Sequence, residues 1–499
     1  MEDLVSNFLS EKNIDSEITF EKYIMSKTML NNEKQYSVKD ICCFNANNDN
    51  FKQHYDENKI LEIHLNNMVF EQDLSFDNVK KLSLIIDDNV KFQRLCIFGC
   101  NELSLRINGR VKIIDKISIN NCKFKQISIN NHIDGNIEFQ KCEFNNFNLY
   151  GFSNATIKGA FTFDFCEVKE KVNFMNFEFE NKVSFKMSKF KDNVYFNNSV
   201  FKDYADFHEC EFEKTASFYG VRFNKTPNFS QAIFRGNLNA VNANLNFTFD
   251  DLQERIKQEY EDFNKNIENK KSLDKFANDF RDSFRTFKNA LIKDNNLLDA
   301  SNFHKYELYC KEIELKNKKG KTFKDVVDRW QLLFYRKLCD HHTDILQSLN
   351  SLILVIGIFV ISSVAMVVGF NYSLGYKPIL EHWYFSLDFY NHHINSIIQD
   401  NYLFVATVNL VMLFGYLILV GFALCLKYMR EFFIIISYVI TLLVLAISPK
   451  ILIPAMGIFT DKRAMLDPLS VFGGIYTIIF GFVAFSFIKT IRKNSIVPS

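Results

Sequence analysis

Several residue types that mark familiar protein classes are scarce in this chain of 499 residues. Only 6 residues are Pro and 17 are Gly, which excludes collagen-like sequence and long disordered linkers. The 59 Lys and Arg residues balance the 58 Asp and Glu residues, so we expect neither a basic surface that binds nucleic acid nor an acidic mimic of it. The 11 Cys residues contain no Cys-x-x-Cys pair, which argues against a disulfide framework and a zinc site.

Sequence signatures of enzymes are absent as well. The chain has no P-loop, no Gly-x-Gly-x-x-Gly, no Gly-x-Ser-x-Gly and no His-Glu-x-x-His motif. We therefore assign no catalytic, cofactor-binding or metal-binding residue and expect a non-enzymatic protein. The doublets His341-His342 and His392-His393 place neighbouring rings in different directions in a helix or a strand, so surface histidines explain them better than a metal site.

Four apolar runs without charged residues occupy the last third of the chain, at 352–370, 402–426, 432–448 and 469–488. A helix needs about 20 apolar residues to cross a bilayer core of ~30 Å, so each run predicts a membrane span, with 432–448 the shortest. The runs hold no Asp, Glu, Lys, Arg or His, which argues against a proton-coupled transporter. The segment 372–401 between the first two runs predicts an interfacial or re-entrant helix.

The orientation of these spans follows from the basic residues near their ends. Seven Lys and Arg residues lie on the side of the two termini and four on the other side. The first residues of the chain contain no basic segment followed by an apolar one, so no secretory signal is expected. We therefore expect a multi-pass protein of the inner (cytoplasmic) membrane with both termini in the cytoplasm.

A repeat of eleven residues dominates the first half of the chain. One series of apolar residues is Phe163, Phe174, Phe185, Phe196, Phe207, Phe218 and Phe229, and the series five residues later is Val168, Phe179, Phe190, Phe201, Phe212, Phe223 and Phe234. Inward-facing residues at steps of two, three and five fit short strands joined by tight corners, not a helix. The thirteen phenylalanines are the predicted core of the repeat, and two repeats form a coil of 22 residues.

The slot three residues after the first series is mostly small. Cys166 and Cys210 occupy it, and Cys122 and Cys142 occupy the matching position of a twenty-residue coil upstream, so we expect all four to be buried in the core. Still earlier, Ile63-His64-Leu65, Leu82-Ser83-Leu84 and Leu103-Ser104-Leu105 predict equivalent strands.

The segment from Ile117 to Phe234 resembles the pentapeptide-repeat proteins, in the variant in which alternate pentapeptides gain one residue. Ala205-Asp206-Phe207, Cys210-Glu211-Phe212 and Ala216-Ser217-Phe218 show the pattern, with a small residue two places before Phe. The resemblance implies a right-handed, four-sided β-helix with stacked Phe rings. Some relatives inhibit gyrase by mimicking DNA, but residues 160–235 carry 11 acidic and 11 basic side chains, which argues against that function.

The pattern becomes helical after the repeat. Phe276, Phe280, Phe284, Phe287 and Leu291 form one apolar stripe. The segments 280–288 and 300–307 resemble the helical hairpin that precedes the membrane domain in bacterial pentapeptide-repeat membrane proteins, some of which carry a two-helix ion-channel module. A lysine-rich segment at 316–321 and an amphipathic run at 323–349 follow; they fit either a neck lying on anionic lipid headgroups or a solvated turn between helices.

Four regions result: an N-terminal cap at 1–58, a β-helix at 59–250, a helical hairpin or neck at 251–348, and a four-span membrane domain at 349–499. A solenoid offers long faces without a catalytic cleft, so we expect a scaffold that binds a partner protein from the cytoplasmic side of the lipid bilayer. The alternative is an oligomeric ion channel gated by the cytoplasmic domain, in which the chain would associate as a homo-oligomer.

Overall fold

The computed structural model describes residues 36–38, 42–46, 57–66, 68–87, 89–108, 111–129, 135–145, 147–148, 156–265, 270–376, 383–425, 427–447 and 467–494. These residues form two compact units, one ending at Gly320 and one starting at Lys321. The predicted neck at 251–348 is therefore divided, with its first helices in the β-rich unit and its last part in the helical unit.

The described strands of the first unit are short and follow each other closely. They are β1 (Tyr36–Val38), β2 (Cys42–Asn45), β3 (Leu61–Leu65), β4 (Met68–Phe70), β5 (Leu74–Asp77), β6 (Lys81–Ile86), β7 (Val90–Phe98), β8 (Glu102–Ile107), β9 (Val111–Asn120), β10 (Lys123–Ile129), β11 (Asn136–Gln140), β12 (Glu143–Phe144), β13 (Phe147–Asn148), β14 (Thr156–Ile157), β15 (Phe161–Asp164), β16 (Glu167–Val168), β17 (Val172–Asn173), β18 (Glu178–Phe179), β19 (Val183–Ser184), β20 (Lys189–Phe190), β21 (Val194–Tyr195), β22 (Val200–Phe201), β23 (Ala205–Asp206), β24 (Glu211–Phe212), β25 (Ala216–Ser217), β26 (Arg222–Phe223), β27 (Ile233–Phe234), β28 (Leu238–Asn239) and β29 (Asn244–Leu245).

The strands pair in parallel with strands one coil away, which makes the unit a β-solenoid. From β15 onward the partner lies 22 residues later, as Phe161 pairs with Val183 and Val183 with Ala205. The predicted coil of two eleven-residue repeats is thereby confirmed. Strands from β14 onward are distributed over four sheets, whereas β1–β13 belong to only two of them. The right-handed winding and the four-sided cross-section stay predictions.

The earlier coils are less regular and their strands are longer. Ile117 pairs with Ile137, a shift of 20 residues, while Leu95 pairs with Ile117, a shift of 22. The strands predicted at Ile63-His64-Leu65, Leu82-Ser83-Leu84 and Leu103-Ser104-Leu105 are confirmed as the neighbouring parallel strands β3, β6 and β8. Leu82 pairs with Leu103, but on its other side it pairs with Leu61 and not with Ile63. Alternation of buried and exposed residues determines which face a strand buries but not which of two like-facing registers it adopts.

The parallel sheet also extends into the predicted N-terminal cap. Strands β1 and β2 pair with β4 and β5, so the sheet begins before residue 59. Residues 1–35 of the predicted cap lie outside the described residues.

Three helices follow the last strand: α1 (Phe249–Asn264), α2 (Leu273–Lys293) and α3 (Leu297–Asn317). Helix α1 is capped by Thr248, whose hydroxyl accepts from the Asp251 amide while the Asp251 carboxylate accepts from the Thr248 amide. The predicted apolar stripe of α2 is confirmed, since Phe276, Phe280, Phe284, Phe287 and Leu291 are all buried.

These helices continue the hydrophobic core of the solenoid and cover its last coil. Phe287 of α2 packs on Phe229 with ring centroids 4.8 Å apart, and on Phe303 of α3 at 5.2 Å. The Tyr306 hydroxyl donates to the Leu245 carbonyl at 2.9 Å. A terminal coil exposes backbone groups and apolar surface, and the helices satisfy both. These helices therefore form a cap on the C-terminal end of the solenoid.

The second unit is helical in its described residues. Its helices are α4 (Phe323–Cys339), a 3₁₀ turn (Asp340–His342), α5 (Ile345–Ser373), α6 (Trp383–Asp400), α7 (Tyr402–Cys425), α8 (Lys427–Ile447) and α9 (Pro468–Asn494). Within the described ranges, three helices are long and apolar enough to cross a membrane, at Ile345–Ser373, Tyr402–Leu424 and Pro468–Lys493. Helix α8 contains most of the predicted span 432–448, and its membrane crossing stays a prediction. Within the predicted interfacial segment 372–401, residues 383–400 form helix α6.

Candidate functional site

The phenylalanines predicted to form the repeat core line the interior of the solenoid. Twelve of them are buried, and Phe234 is half-buried against the same core; the buried ones are Phe163, Phe174, Phe185, Phe196, Phe207, Phe218, Phe229, Phe179, Phe190, Phe201, Phe212 and Phe223. Most rings one coil apart stack nearly parallel, as Phe174, Phe196 and Phe218 do at centroid distances of 5.0 and 5.1 Å, whereas Phe163 and Phe185 are tilted by 54°. The core thus consists of columns of packed aromatic rings, which make the solenoid a rigid support for its outer faces.

The small residues three positions after the first Phe series form hydrogen bonds between successive coils. The Ser188 hydroxyl donates to the Phe163 carbonyl at 2.6 Å and accepts from the Cys166 amide at 2.9 Å. The Cys210 thiol likewise lies 2.8 Å from the Phe185 carbonyl. A small side chain with one donor is favoured here because it fills little volume and satisfies a buried backbone carbonyl.

The cysteines predicted in the core are buried. Cys122, Cys142, Cys166 and Cys210 occupy the interior, and so does Cys100 one coil earlier. Burial raises the pKa of the Cys100 thiol to about 11 and that of Cys122 to about 12. The thiolate is the reactive species, so the Cys100 and Cys122 thiols are expected to be inert in the folded solenoid.

We expect Cys122, Cys166 and Cys210 to resist alkylation by iodoacetamide at neutral pH until the solenoid unfolds. Burial and the raised thiol pKa together should slow modification by on the order of a thousandfold. Peptide-resolved mass spectrometry along a urea titration measures the effect, with the half-buried Cys96 as the internal control. Labelling of Cys166 at the rate of Cys96 in native buffer would contradict the buried core.

The corners of the solenoid recur with the same period as the core. Residues 165, 176, 187, 198, 209, 220, 231 and 242 all adopt a left-handed backbone with φ between 54° and 64°. Asn occupies three of these corners and Gly one, as expected for that conformation. Met187, Glu209 and Gln231 occupy three of the others, and Phe165 is the aromatic residue among the eight, with φ of 57° and 49% of its surface exposed.

Phe165→Gly is expected to be more stable than Phe165→Ala by about 1 kcal/mol, because a Cβ in the left-handed region costs roughly that much. Both variants remove the same ring, so their difference in free energy of unfolding isolates the backbone strain. Thr162 lies in the extended strand β15, where glycine is less favourable than alanine, so Thr162→Gly should be less stable than Thr162→Ala. Equal stability of the two Phe165 variants would contradict the strained corner.

The outer faces of the solenoid carry ladders of opposite charges. Ion pairs join neighbouring coils, namely Lys189 with Glu211 and Glu213, Lys191 with Glu167, Lys202 with Glu178 and Glu180, Lys214 with Asp192, and Lys225 with Asp203. Exposed pairs add only about 0–1 kcal/mol each to stability. Their main consequence is that these faces carry no strong net potential that would attract nucleic acid.

The stacked interior, the eleven-residue corners and the parallel coils describe one kind of repeat. Residues 174–222 match the family model for pentapeptide repeats (9 copies). No curated protein and no solved structure matches the chain. The expected resemblance is therefore confirmed over this segment, which lies in the regular part of the solenoid.

One side of the pentapeptide-repeat solenoid is covered by helix α1. The Tyr204 hydroxyl donates to the Glu259 carboxylate at 2.6 Å, and the Arg255 guanidinium lies 3.7 Å above the Tyr204 ring. Burial, and then repulsion by Glu259, raises the pKa of the Asp206 carboxyl to about 7. The sequence pattern identified inward-facing positions only and gave no signal for this covered outer face.

Ser230, His208 and Glu209 form a Ser-His-Glu arrangement close to Glu259 of α1. Ser230 Oγ is 2.7 Å from His208 Nδ1, and His208 Nε2 is 3.1 Å from a Glu209 oxygen. The Ser230 hydroxyl donates to Asn228 Oδ1 at 2.5 Å, so His208 donates to Ser230 and does not accept its proton as a general base would. Ser230 is also only 3% exposed. This geometry fits a buried hydrogen-bond network better than a nucleophile.

Charged and polar residues of α2 and α3 form one hydrogen-bonded cluster around Glu307. Glu307 accepts from Arg285 at 2.9 Å and from Lys288 at 2.7 Å, and it lies 2.9 Å from His304 Nδ1. Burial alone would raise the pKa of the Glu307 carboxyl, but these hydrogen bonds outweigh it and hold the pKa well below its usual value. The cluster joins the two helices that cap the solenoid.

The prediction that the histidine doublets lie on the surface is wrong for His341, which is buried in the helical unit. His342 lies 3.0 Å from the Thr490 hydroxyl and 3.4 Å from the Cys339 thiol. Burial, and then the nearby Lys489 and Lys493, lowers the pKa of His342 to about 4. Sequence spacing predicted divergent rings but could not predict that the 3₁₀ turn folds back onto α9. The rings of His392 and His393 lie edge to face, with centroids 5.3 Å apart and planes at 80°.

Proposed function

We propose that this protein is a non-enzymatic membrane protein whose pentapeptide-repeat solenoid binds a partner protein and acts as a scaffold. The rigid aromatic core supports this role because it holds the outer faces in a fixed arrangement. The neutralised charge ladders favour a protein partner over nucleic acid.

The exposed, strained Phe165 carries the proposal. A left-handed phenylalanine costs stability, and such strain recurs at functional sites. It stands at a corner where Asn occurs in other coils, with Met187 at the next corner on the same edge. Exposed aromatic side chains are the usual anchors of protein interfaces.

The test is capture of a partner from a cell extract by the full chain in lipid nanodiscs. Phe165→Gly should abolish capture of the specific partner while keeping the solenoid folded. Asn176→Gly is the matched control, since it alters a left-handed corner without removing an aromatic side chain. Undiminished binding of every captured protein by Phe165→Gly would contradict the role of this residue.

For the membrane part we propose four spans, with both termini on the cytoplasmic side of the inner membrane. The support for α8 as the fourth span is its packing on α5, where Tyr438 donates to Asn350 at 2.9 Å. Apolar side chains of the bundle face outward, among them Leu410, Val411 and Phe414 of α7 and Ile478 and Phe485 of α9. Lipid is the environment that makes such a surface favourable.

We further propose the right-handed, four-sided winding for the regular coils. Its support is the distribution of β14–β29 over four sheets and the recurrence of a left-handed corner every eleven residues. Single-channel recording from purified protein in planar bilayers separates the scaffold from the alternative of an oligomeric ion channel, since a reproducible conductance would favour the channel.

A further inference from the structure

Helix α4 carries an apolar stripe that is exposed in the described part of its unit. The stripe consists of Phe323, Val326, Val327, Trp330 and Phe334, at helical steps of three, one, three and four. Phe323 is 85% and Trp330 is 64% exposed, and the other three are exposed as well. Residues at these steps share one face of a helix, so α4 presents a continuous apolar surface.

This stripe is continuous with the outward-facing surface of a candidate membrane span. The Phe334 ring lies 5.8 Å from the Phe482 ring of α9, and Phe482 is itself exposed. Ile478 and Phe485 extend the same outward-facing surface of α9. Any molecule that covers this surface of α9 therefore also contacts the α4 stripe. Because α9 is long and apolar enough to cross a bilayer, we expect that molecule to be lipid.

The attachment and the charge of α4 fit the surface of a bilayer. Its C-terminal end is fixed to the bundle, since Leu338 is buried and the Gln347 side chain donates to the Arg336 and Lys337 carbonyls at 2.7 and 2.9 Å. Residues 321–337 contain five basic and two acidic side chains. An amphipathic helix with a basic excess and exposed aromatic residues is typical of helices that lie in the headgroup layer of anionic membranes.

We propose that α4 lies in the membrane interface, with its stripe inserted among the acyl chains and its basic side chains at anionic lipid headgroups. This inference rests on the proposed membrane role of the helical unit. It replaces the alternative of a solvated turn for this part of the chain and assigns the neck a lipid-binding surface.

The tryptophans of the chain allow a direct test. The sequence contains 2 Trp, Trp330 and Trp383, so Trp383→Phe in the full chain leaves Trp330 as the only tryptophan, which is excited selectively over tyrosine. The protein is reconstituted into phosphatidylcholine vesicles with about one third phosphatidylglycerol, with bromine atoms either near the headgroup end or near the tail end of the acyl chains. We expect blue-shifted emission, and quenching about twofold stronger with bromines near the headgroups.

Two further variants make the result interpretable. Subtracting the emission of Trp330→Phe from that of the wild type reports Trp330 without altering Trp383, should Trp383→Phe fail to fold. Lys324→Glu combined with Arg329→Glu should reduce the quenching of Trp330 in vesicles containing phosphatidylglycerol and have less effect in pure phosphatidylcholine.

Emission typical of water without bromine quenching would overturn the inference in favour of a solvated helix. Emission shielded from water without quenching would overturn it in favour of a protein partner or a second copy. Flotation with the vesicles and resistance to carbonate extraction are measured on the same samples. If the protein floats with the vesicles and resists carbonate extraction while quenching is absent, only the interfacial position of α4 is contradicted. If it does neither, the proposed membrane role is contradicted as well.

Discussion

Replacing Phe196 by alanine is expected to lower the free energy of unfolding of the solenoid by about 3–5 kcal/mol. Phe196 is fully buried and lies in the middle of an aromatic column between Phe174 and Phe218, at centroid distances of 5.0 and 5.1 Å. It also packs edge-on against Phe185 and Phe207, at 5.4 and 5.5 Å. Parallel coils wound at a fixed spacing cannot collapse into the vacated volume, so most of the cavity should persist.

The measurement is the urea concentration at which Cys210 becomes accessible to alkylation, because this buried thiol lies in the same core. Tyr195→Ala is the matched control, since Tyr195 is the adjacent residue on strand β21 and only half-buried. We expect the control to cost no more than about 1 kcal/mol. A shift for Phe196→Ala no larger than that for Tyr195→Ala would contradict a core made of stacked rings.

The sequence predicts the regular coils well because their core is built from one residue type at one period. Burial of a ring is worth roughly 2–3 kcal/mol, so a phenylalanine at each repeat determines which residues face inward and how long a coil is. The pairing of Val183 with Ala205 and the stacking of Phe185 on Phe207 follow directly from that spacing. The left-handed corner at Phe165 could also have been found, since Asn recurs at that position of the repeat.

Features that depend on long-range packing could not be predicted in the same way. The outward side chain of Asp206 is polar like its neighbours, and only the fold shows that α1 brings Glu259 beside it. The burial of His341 depends on the fold of the helical unit, not on the doublet itself. The early strand Leu61–Leu65 alternates like the later ones, so periodicity leaves its register open by two residues.

The second large effect is expected in the helical unit, where α5 packs against α8. Gly357 of α5 is buried against Ser437 of α8, and a Cβ atom added at Gly357 would lie 2.1 Å from Ser437 Oγ and 2.6 Å from its Cα. Small residues let membrane helices approach this closely. Because the Ser437 backbone is part of the contact, no side-chain rotation can make room for a larger residue.

Gly357→Leu is therefore expected to destabilise the bundle by about 3 kcal/mol or more, by forcing α8 away from α5 and breaking the hydrogen bond from Tyr438 to Asn350. Gly369→Leu is the matched control on the same helix, because a Cβ there meets no atom within 4 Å. Thermal denaturation of the full chain in nanodiscs, followed by near-ultraviolet circular dichroism, measures both variants. The control should melt close to the wild type, whereas Gly357→Leu should melt well below it. Equal melting temperatures of the two variants would show that α8 does not pack on α5, and would remove the main support for a fourth span.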